Sequence, residues 1–153
     1  MSIGLFALVL AFSFQAGEVP PPVNVDIFNP TEKAQLENES NIERRIKIYE
    51  SASRRMQKAL EAAVVKEDFQ TVPGNLKLWM ALLRKSLEDI QANLKSKKKS
   101  GALHNYEIQV RKSIVNTESL KIKAPLDQQD LFDSCISKAK EVREKFMEIL
   151  FQH

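Results

Sequence analysis

The sequence predicts an all-α protein, an antiparallel bundle of about four helices that follows an apolar N-terminal leader. Within residues 42–94, apolar side chains recur at alternating steps of three and four, which is the spacing of helices that each bury one face. The chain of 153 residues contains four glycines and 7% aromatic residues, which argues against a β-sandwich with its frequent turns. Charged residues make up 28% of the chain, as in ordinary soluble proteins, so neither a disordered chain nor a membrane bundle is indicated.

Residues 42–94 are predicted to fold as a long αα-hairpin. The apolar positions of its first helix are Ile42, Ile46, Tyr49, Met56, Leu60 and Ala63, with Ser53 in the one remaining place. Those of its second helix are Leu76, Trp79, Met80, Leu83, Leu87, Ile90 and Leu94. Residues 66–75 contain Pro73 and Gly74, which interrupt the helical period, and so short a connection makes the two helices antiparallel neighbours. Leu78 and Leu82 lie on a second face, so further helices are needed to cover them.

Residues 1–16 are predicted to be a signal peptide. The apolar run at residues 3–14 has the length of a secretory hydrophobic region and is shorter than the roughly 20 residues of a membrane-spanning helix. No lysine or arginine precedes the run, and cleavage after Ala16 would put Phe14 where a small residue belongs. The alternative is an N-terminal helix that docks on the bundle. We therefore expect export to the periplasm, the cell envelope or the medium.

Residues 17–28 are predicted to be a proline-rich extended linker, and residues 29–153 the helical-bundle domain. Three consecutive prolines favour an extended polyproline path in the linker. Asn29, Pro30 and Glu32 then supply an N-cap side chain, a proline at the first helical position and a carboxylate three residues after the cap. The first bundle helix is therefore expected to begin at this point.

Capping patterns mark two further helix starts. Ser40 and Glu43 repeat the capping-box spacing, so the first bundle helix is expected to break and restart near residues 38–41. Asp127 and Asp130 have the same spacing and predict Asp127 as the N-cap of the last helix. That helix has one broad apolar face, formed by Leu131, Phe132, Cys135, Ile136, Ala139, Val142, Phe146, Ile149 and Leu150.

The third predicted helix, residues 102–123, carries two apolar stripes. One stripe consists of Leu103, Tyr106, Val110, Ile114 and Thr117. The second consists of Ile108, Val115 and Ile122, which recur at steps of seven on a different face. Either the helix contacts two neighbours and buries both stripes, or the second stripe is exposed and binds something. Ile108, Val115 and Ile122 are therefore a candidate site for a protein partner or for a second copy of the chain.

A lysine-rich loop follows the hairpin, and its lysines are Lys95, Lys97, Lys98 and Lys99. Such a cluster can contact an anionic surface such as lipid headgroups, although a solvated connection is the simpler interpretation. No aromatic residue is interleaved and the net charge is +3, so a nucleic-acid partner is not expected. In an alternative function, the N-terminal segment stays uncleaved as a membrane contact and anchors a regulator or adaptor whose lysine loop meets the headgroups.

No pattern in the sequence indicates catalysis or a bound metal. His104 and His153 are the only histidines, and they lie too far apart for a helical pair of metal ligands. Cys135 lies on the apolar face of the last helix, where a lone cysteine acts as a small hydrophobic residue. The glycines are isolated, so there is no phosphate-binding loop. We expect a non-enzymatic protein without cofactors or metals, with a binding or structural role.

Overall fold

The computed structural model describes residues 26–95 and 99–152, and within these ranges every regular element is helical. Five α-helices follow one another: α1 (Pro30–Asn38), α2 (Ile42–Val65), α3 (Val72–Asn93), α4 (Gly101–Lys121) and α5 (Gln129–Phe151), with a 3₁₀ turn (Leu126–Gln128) before α5. The all-α prediction is confirmed. The predicted signal peptide, residues 1–16, and the linker as far as residue 25 lie outside the described residues.

The predicted start of the first bundle helix is confirmed, and so is the predicted break. The Asn29 side chain accepts the Glu32 amide over 2.8 Å, and the Glu32 carboxylate accepts the Asn29 amide over 3.0 Å, which completes a capping box. After the break, the new N-cap is Asn41 rather than Ser40, because the Asn41 side chain accepts the amide of Arg44. The break separates α1 from α2, so the described part of the chain has five helices instead of about four.

The four long helices surround one core. The α2 helix lies against α3 and α4, the α5 helix also lies against α3 and α4, and α1 rests on α2. The α2 and α3 helices run antiparallel, since Ser53 pairs with Trp79 near their middle while Arg45 at the start of α2 pairs with Asp89 near the end of α3. The α2 and α4 helices are instead parallel neighbours, since Ser100 bonds Glu43 at their starts and Asn116 bonds Gln57 farther along. The predicted antiparallel arrangement is therefore wrong for this pair, and α3 and α4 occupy opposite corners of the bundle.

Large aromatic side chains fill the centre of this bundle. Trp79, Tyr49, Tyr106, Phe132 and Phe146 are all essentially inaccessible to solvent. The rings of Tyr106 and Phe146 lie 5.1 Å apart in a tilted arrangement, which joins α4 to α5. The indole N–H of Trp79 donates to the hydroxyl of Ser53 over 2.9 Å, so the polar atom that this ring brings into the core is satisfied.

The turn between α2 and α3 lies earlier than Pro73 and Gly74 predict. The α2 helix ends at Val65, and Glu67 adopts a left-handed conformation with φ of 57°. The Asp68 amide bonds the Ala63 carbonyl over 2.8 Å, and the Glu67 amide bonds the Val64 carbonyl, which is a Schellman C-cap. Pro73 already belongs to the first turn of α3, where the missing proline N–H leaves no helical bond unmade.

The start of α5 also differs from the prediction. Asp127 is not the N-cap, because a 3₁₀ turn occupies residues 126–128 and α5 begins at Gln129 with Gln128 before it. No side chain caps this helix start. The Gln128 amide nitrogen instead donates to the Phe69 carbonyl over 2.6 Å and so ties the α4–α5 turn to the α2–α3 turn. This contact between distant turns therefore lies directly before the start of α5.

Candidate functional site

The second predicted stripe lies on the outer side of α4. Val115 is 59% exposed and Ile122, at the C-cap of α4, is 81% exposed, whereas Ile108 is half-buried. Seven residues are close to two turns of an α-helix, so these side chains lie on one side of α4. From Ile108 to Ile122 they extend over about 21 Å. Of the two arrangements that the sequence allows, the structure has the one in which the second stripe is largely open to solvent. We call Ile108, Val115 and Ile122 the α4 stripe.

The contacts of the opposite side of α4 explain why the stripe faces outward. Val110 is fully buried in the core. On one flank, Arg143 of α5 donates to Glu107 over 2.7 Å, and on the other flank the Asn116 amide donates to Gln57 of α2 over 3.2 Å. These contacts fix the rotation of α4 between its two neighbours, so no helix within residues 26–95 and 99–152 covers the side that bears the stripe.

A groove of about 540 Å³ opens between α4 and α5 beside Ile122. Its lining includes Ile122 itself and Ile136, which projects from α5 and is 7% exposed. The rest of its lining, Glu118, Lys121, Gln129, Asp133 and Lys140, is polar or charged, so the groove is a mixed surface whose apolar part is confined to these two isoleucines. Two ion pairs flank it, Lys121–Asp133 at 2.6 Å and Lys140–Glu118 at 3.0 Å.

The free charges beside the stripe are cationic. Arg111, Lys112 and Lys123 are exposed, and none of them forms an ion pair within residues 26–95 and 99–152. The acidic residues of α4 are already engaged, since Glu107 pairs with Arg143 and Glu118 with Lys140. The stripe therefore has apolar side chains at its centre and, at its edge, positive charges that no acidic residue of the described ranges pairs with.

Arg111, Lys112, Lys123 and Ile136 are the parts of this surface that sequence reasoning missed. The adjacent Arg111 and Lys112 lie halfway between Ile108 and Val115, so a projection of the helix could have placed them beside the stripe. Their lack of a partner depends on which helix lies next to α4, and this requires the fold. Ile136 was assigned only to the core face of α5, although it also reaches the groove.

The predicted lysine loop is only partly described. Lys97 and Lys98 lie outside the described residues. Lys95 is exposed, and the exposed Lys99 places its Nζ atom 5.6 Å from the centre of the Phe151 ring. The structure therefore shows two solvated lysines at this end of the bundle, one of them over an aromatic face.

The two candidate residues for chemistry that the structure describes, His104 and Cys135, lie in different surroundings. His104 is exposed, and His153 lies outside the described residues. Cys135 is fully buried, and burial raises the pKa of its thiol to about 12, so it stays protonated at neutral pH. Within the part of the chain that the structure describes, no group of three histidine, cysteine or acidic side chains is arranged to hold a metal ion.

A network of charged and polar side chains joins α2 to α3. Arg45 Nε lies 2.7 Å from Asp89 Oδ2, and Asp89 also accepts hydrogen bonds from the Tyr49 hydroxyl and the Asn93 amide. Burial acts to raise the pKa of Asp89, but these hydrogen bonds outweigh it, and the pKa lies below its ordinary value. Arg45 further donates to the Leu36 carbonyl over 2.9 Å, which ties the end of α1 to the same point. All partners are satisfied within the bundle, so the network is structural.

Among the described helices, none is long and apolar enough to cross a membrane. The chain matches no protein-family model, no curated protein sequence and no solved structure.

Proposed function

We propose that the chain is an exported, non-enzymatic binding protein that contacts a protein partner through the α4 stripe. In this proposal, residues 1–16 are a cleaved leader, and α2–α5 form a four-helix domain that presents α4. The observation that carries the proposal is the exposure of Val115 and Ile122 on a helix whose other faces are packed. Covering such side chains contributes about 1–2 kcal/mol each in a well-packed contact, so the stripe is a source of binding free energy.

Export is tested by the intact mass of the native protein in fractionated host cells. The proposal predicts a soluble extracytoplasmic species that lacks the leader, with a mass below the 17.4 kDa of the full chain. A full-length mass in the membrane pellet would contradict cleavage. It would favour the anchored regulator, whose exposed Lys95 and Lys99 would then be tested by liposome flotation at low and high salt.

Binding through the stripe is tested by sedimentation of the native protein in extracts of its host. The proposal predicts a species larger than the monomer that is lost in the Val115→Ser/Ile122→Ser variant. Val65→Ser is the matched control, because Val65 is 67% exposed and lies at the end of α2 rather than on α4. If the stripe variant and the Val65 control sediment alike, the stripe does not hold the partner.

A further inference from the structure

We propose that the partner of the α4 stripe is an acidic amphipathic helix of another protein. This inference rests on the proposed function and adds the chemical class of the partner. Three features of the surface point to it: the length of the stripe, the groove at its end and the sign of the free charges at its edge.

The stripe has the dimensions of a helix-binding surface. From Ile108 to Ile122 it extends about 21 Å, and a partner helix of about 15 residues has the same length. Its spacing of seven residues is the spacing at which a second helix, packed alongside, returns to the same contact line. A helix with apolar residues at steps of three and four would therefore meet Ile108, Val115 and Ile122 in turn.

The groove supplies a place for one larger apolar side chain of the partner. It lies beside Ile122, and Ile136 contributes a second apolar wall. The ion pairs Lys121–Asp133 and Lys140–Glu118 line the rest of the groove and neutralise each other's charges. A leucine or phenylalanine of the partner would pack against the two isoleucines as an anchor, in the manner of binding hot spots.

The free charges favour an acidic partner over a second copy of the chain. Arg111, Lys112 and Lys123 are exposed and have no acidic partner among the described residues, while Glu107 and Glu118 are engaged with α5. A second copy would bring the same three cations to the contact, and like charges placed together disfavour association. Carboxylates along both edges of a partner helix would instead pair with them.

Two designed peptides of about 18 residues test the inference, because they carry the same leucines at helical spacing and differ only in their edges. One has glutamate at the edge positions and the other has lysine. Their binding to the full chain is measured by fluorescence anisotropy at low and high salt. We expect the glutamate peptide to bind about 10-fold more tightly or better at low salt, with a smaller difference at high salt.

Two sets of variants separate this inference from the proposed function. Val115→Ser/Ile122→Ser should weaken the glutamate peptide about 10-fold, while Val65→Ser leaves it unchanged. The Arg111→Glu/Lys112→Glu/Lys123→Glu variant should prefer the lysine peptide. Its thermal transition should match the wild type, since these residues are exposed.

Equal binding of both peptides, or an unchanged preference in the charge variant, would overturn the acidic partner. Sensitivity to the serine variant alone would then still support the stripe. If neither peptide binds and the serine variant abolishes self-association, the partner is a second copy.

Discussion

Val110 and Val115 form a matched pair that tests whether the stripe is surface or core. Both are valines of α4, yet Val110 is fully buried and Val115 is 59% exposed. Val→Ala at a buried site removes two methyl groups worth about 0.8 kcal/mol each, and the cavity brings the total to about 2–3 kcal/mol. Val115 has only about two-fifths of its surface buried, so about two-fifths of the free energy of burying the two methyl groups is lost there. The better helix propensity of alanine, about 0.5 kcal/mol, offsets this loss. We therefore expect Val110→Ala to lower the free energy of unfolding by about 2 kcal/mol and Val115→Ala to leave it nearly unchanged.

The assay is urea unfolding followed by the fluorescence of Trp79. This residue is the only tryptophan and is 1% exposed, so its emission reports loss of the core. In thermal unfolding, the Val110 variant should melt about 4–8 °C lower, given the size of the domain. A Val115 variant that loses as much stability as the Val110 variant would refute the surface position of the stripe, because the stripe would then belong to the core.

Three further predictions concern the bundle. Glu67→Gly should raise the free energy of unfolding by about 0.5–1 kcal/mol, since glycine tolerates the left-handed conformation; Glu67→Ala, which keeps a Cβ atom, should show no such gain in urea unfolding. Ser53→Ala should cost about 1–3 kcal/mol, because the buried indole N–H of Trp79 loses its acceptor; an unchanged urea midpoint would contradict this role. The pKa of Asp89 is lowered in the folded state, so its contribution is present above the unfolded value of 3.8 and is lost as the pH falls below it. Asp89→Asn should therefore be less stable than the wild type at pH 7, with a difference that shrinks towards pH 3; a constant difference would mean that Arg45 is not the relevant partner.

The helices themselves could be predicted from the sequence because burial follows a period. The apolar period predicts one buried seam of α2 that contains Ile46, Tyr49, Met56 and Leu60, and all four are buried. Apolar spacing identifies the buried face of a helix without reference to its neighbours. The N-cap at Asn29 was equally predictable, since a capping box is local and its two hydrogen bonds lie within four residues.

The bounds of two helices could not be predicted, in one case because a local pattern is ambiguous and in the other because a distant contact is involved. Pro73 and Gly74 interrupt the helical period and predict the turn, but a proline is also compatible with the first turn of a helix, so the period does not show on which side of the turn Pro73 lies. Asp127 has the spacing of an N-cap, yet it lies in a 3₁₀ turn, where Gln128 bonds the Phe69 carbonyl of another turn and α5 begins at Gln129. Such a bond joins residues that are adjacent only after the bundle has formed.

The candidate surface was predicted only as an alternative. Steps of seven identify Ile108, Val115 and Ile122 as one line, but they do not reveal whether a neighbouring helix covers it. The arrangement of α2 and α5 around α4 decides this, and it leaves the line open. The Arg45–Asp89 network was missed for a related reason, because both residues look like ordinary surface charges until α2 and α3 are placed side by side.

Site-specific photo-cross-linking in the native host tests the binding surface most directly. A photoreactive residue is placed at position 115 on the stripe or at position 65, which has a comparable exposed valine at the end of α2. We predict one discrete cross-linked product from position 115 and none of the same mass from position 65. The Ile122→Ser substitution should weaken that product without changing the amount of folded protein. The same product from both positions, or no product from position 115, would contradict the proposal that the α4 stripe is the binding surface.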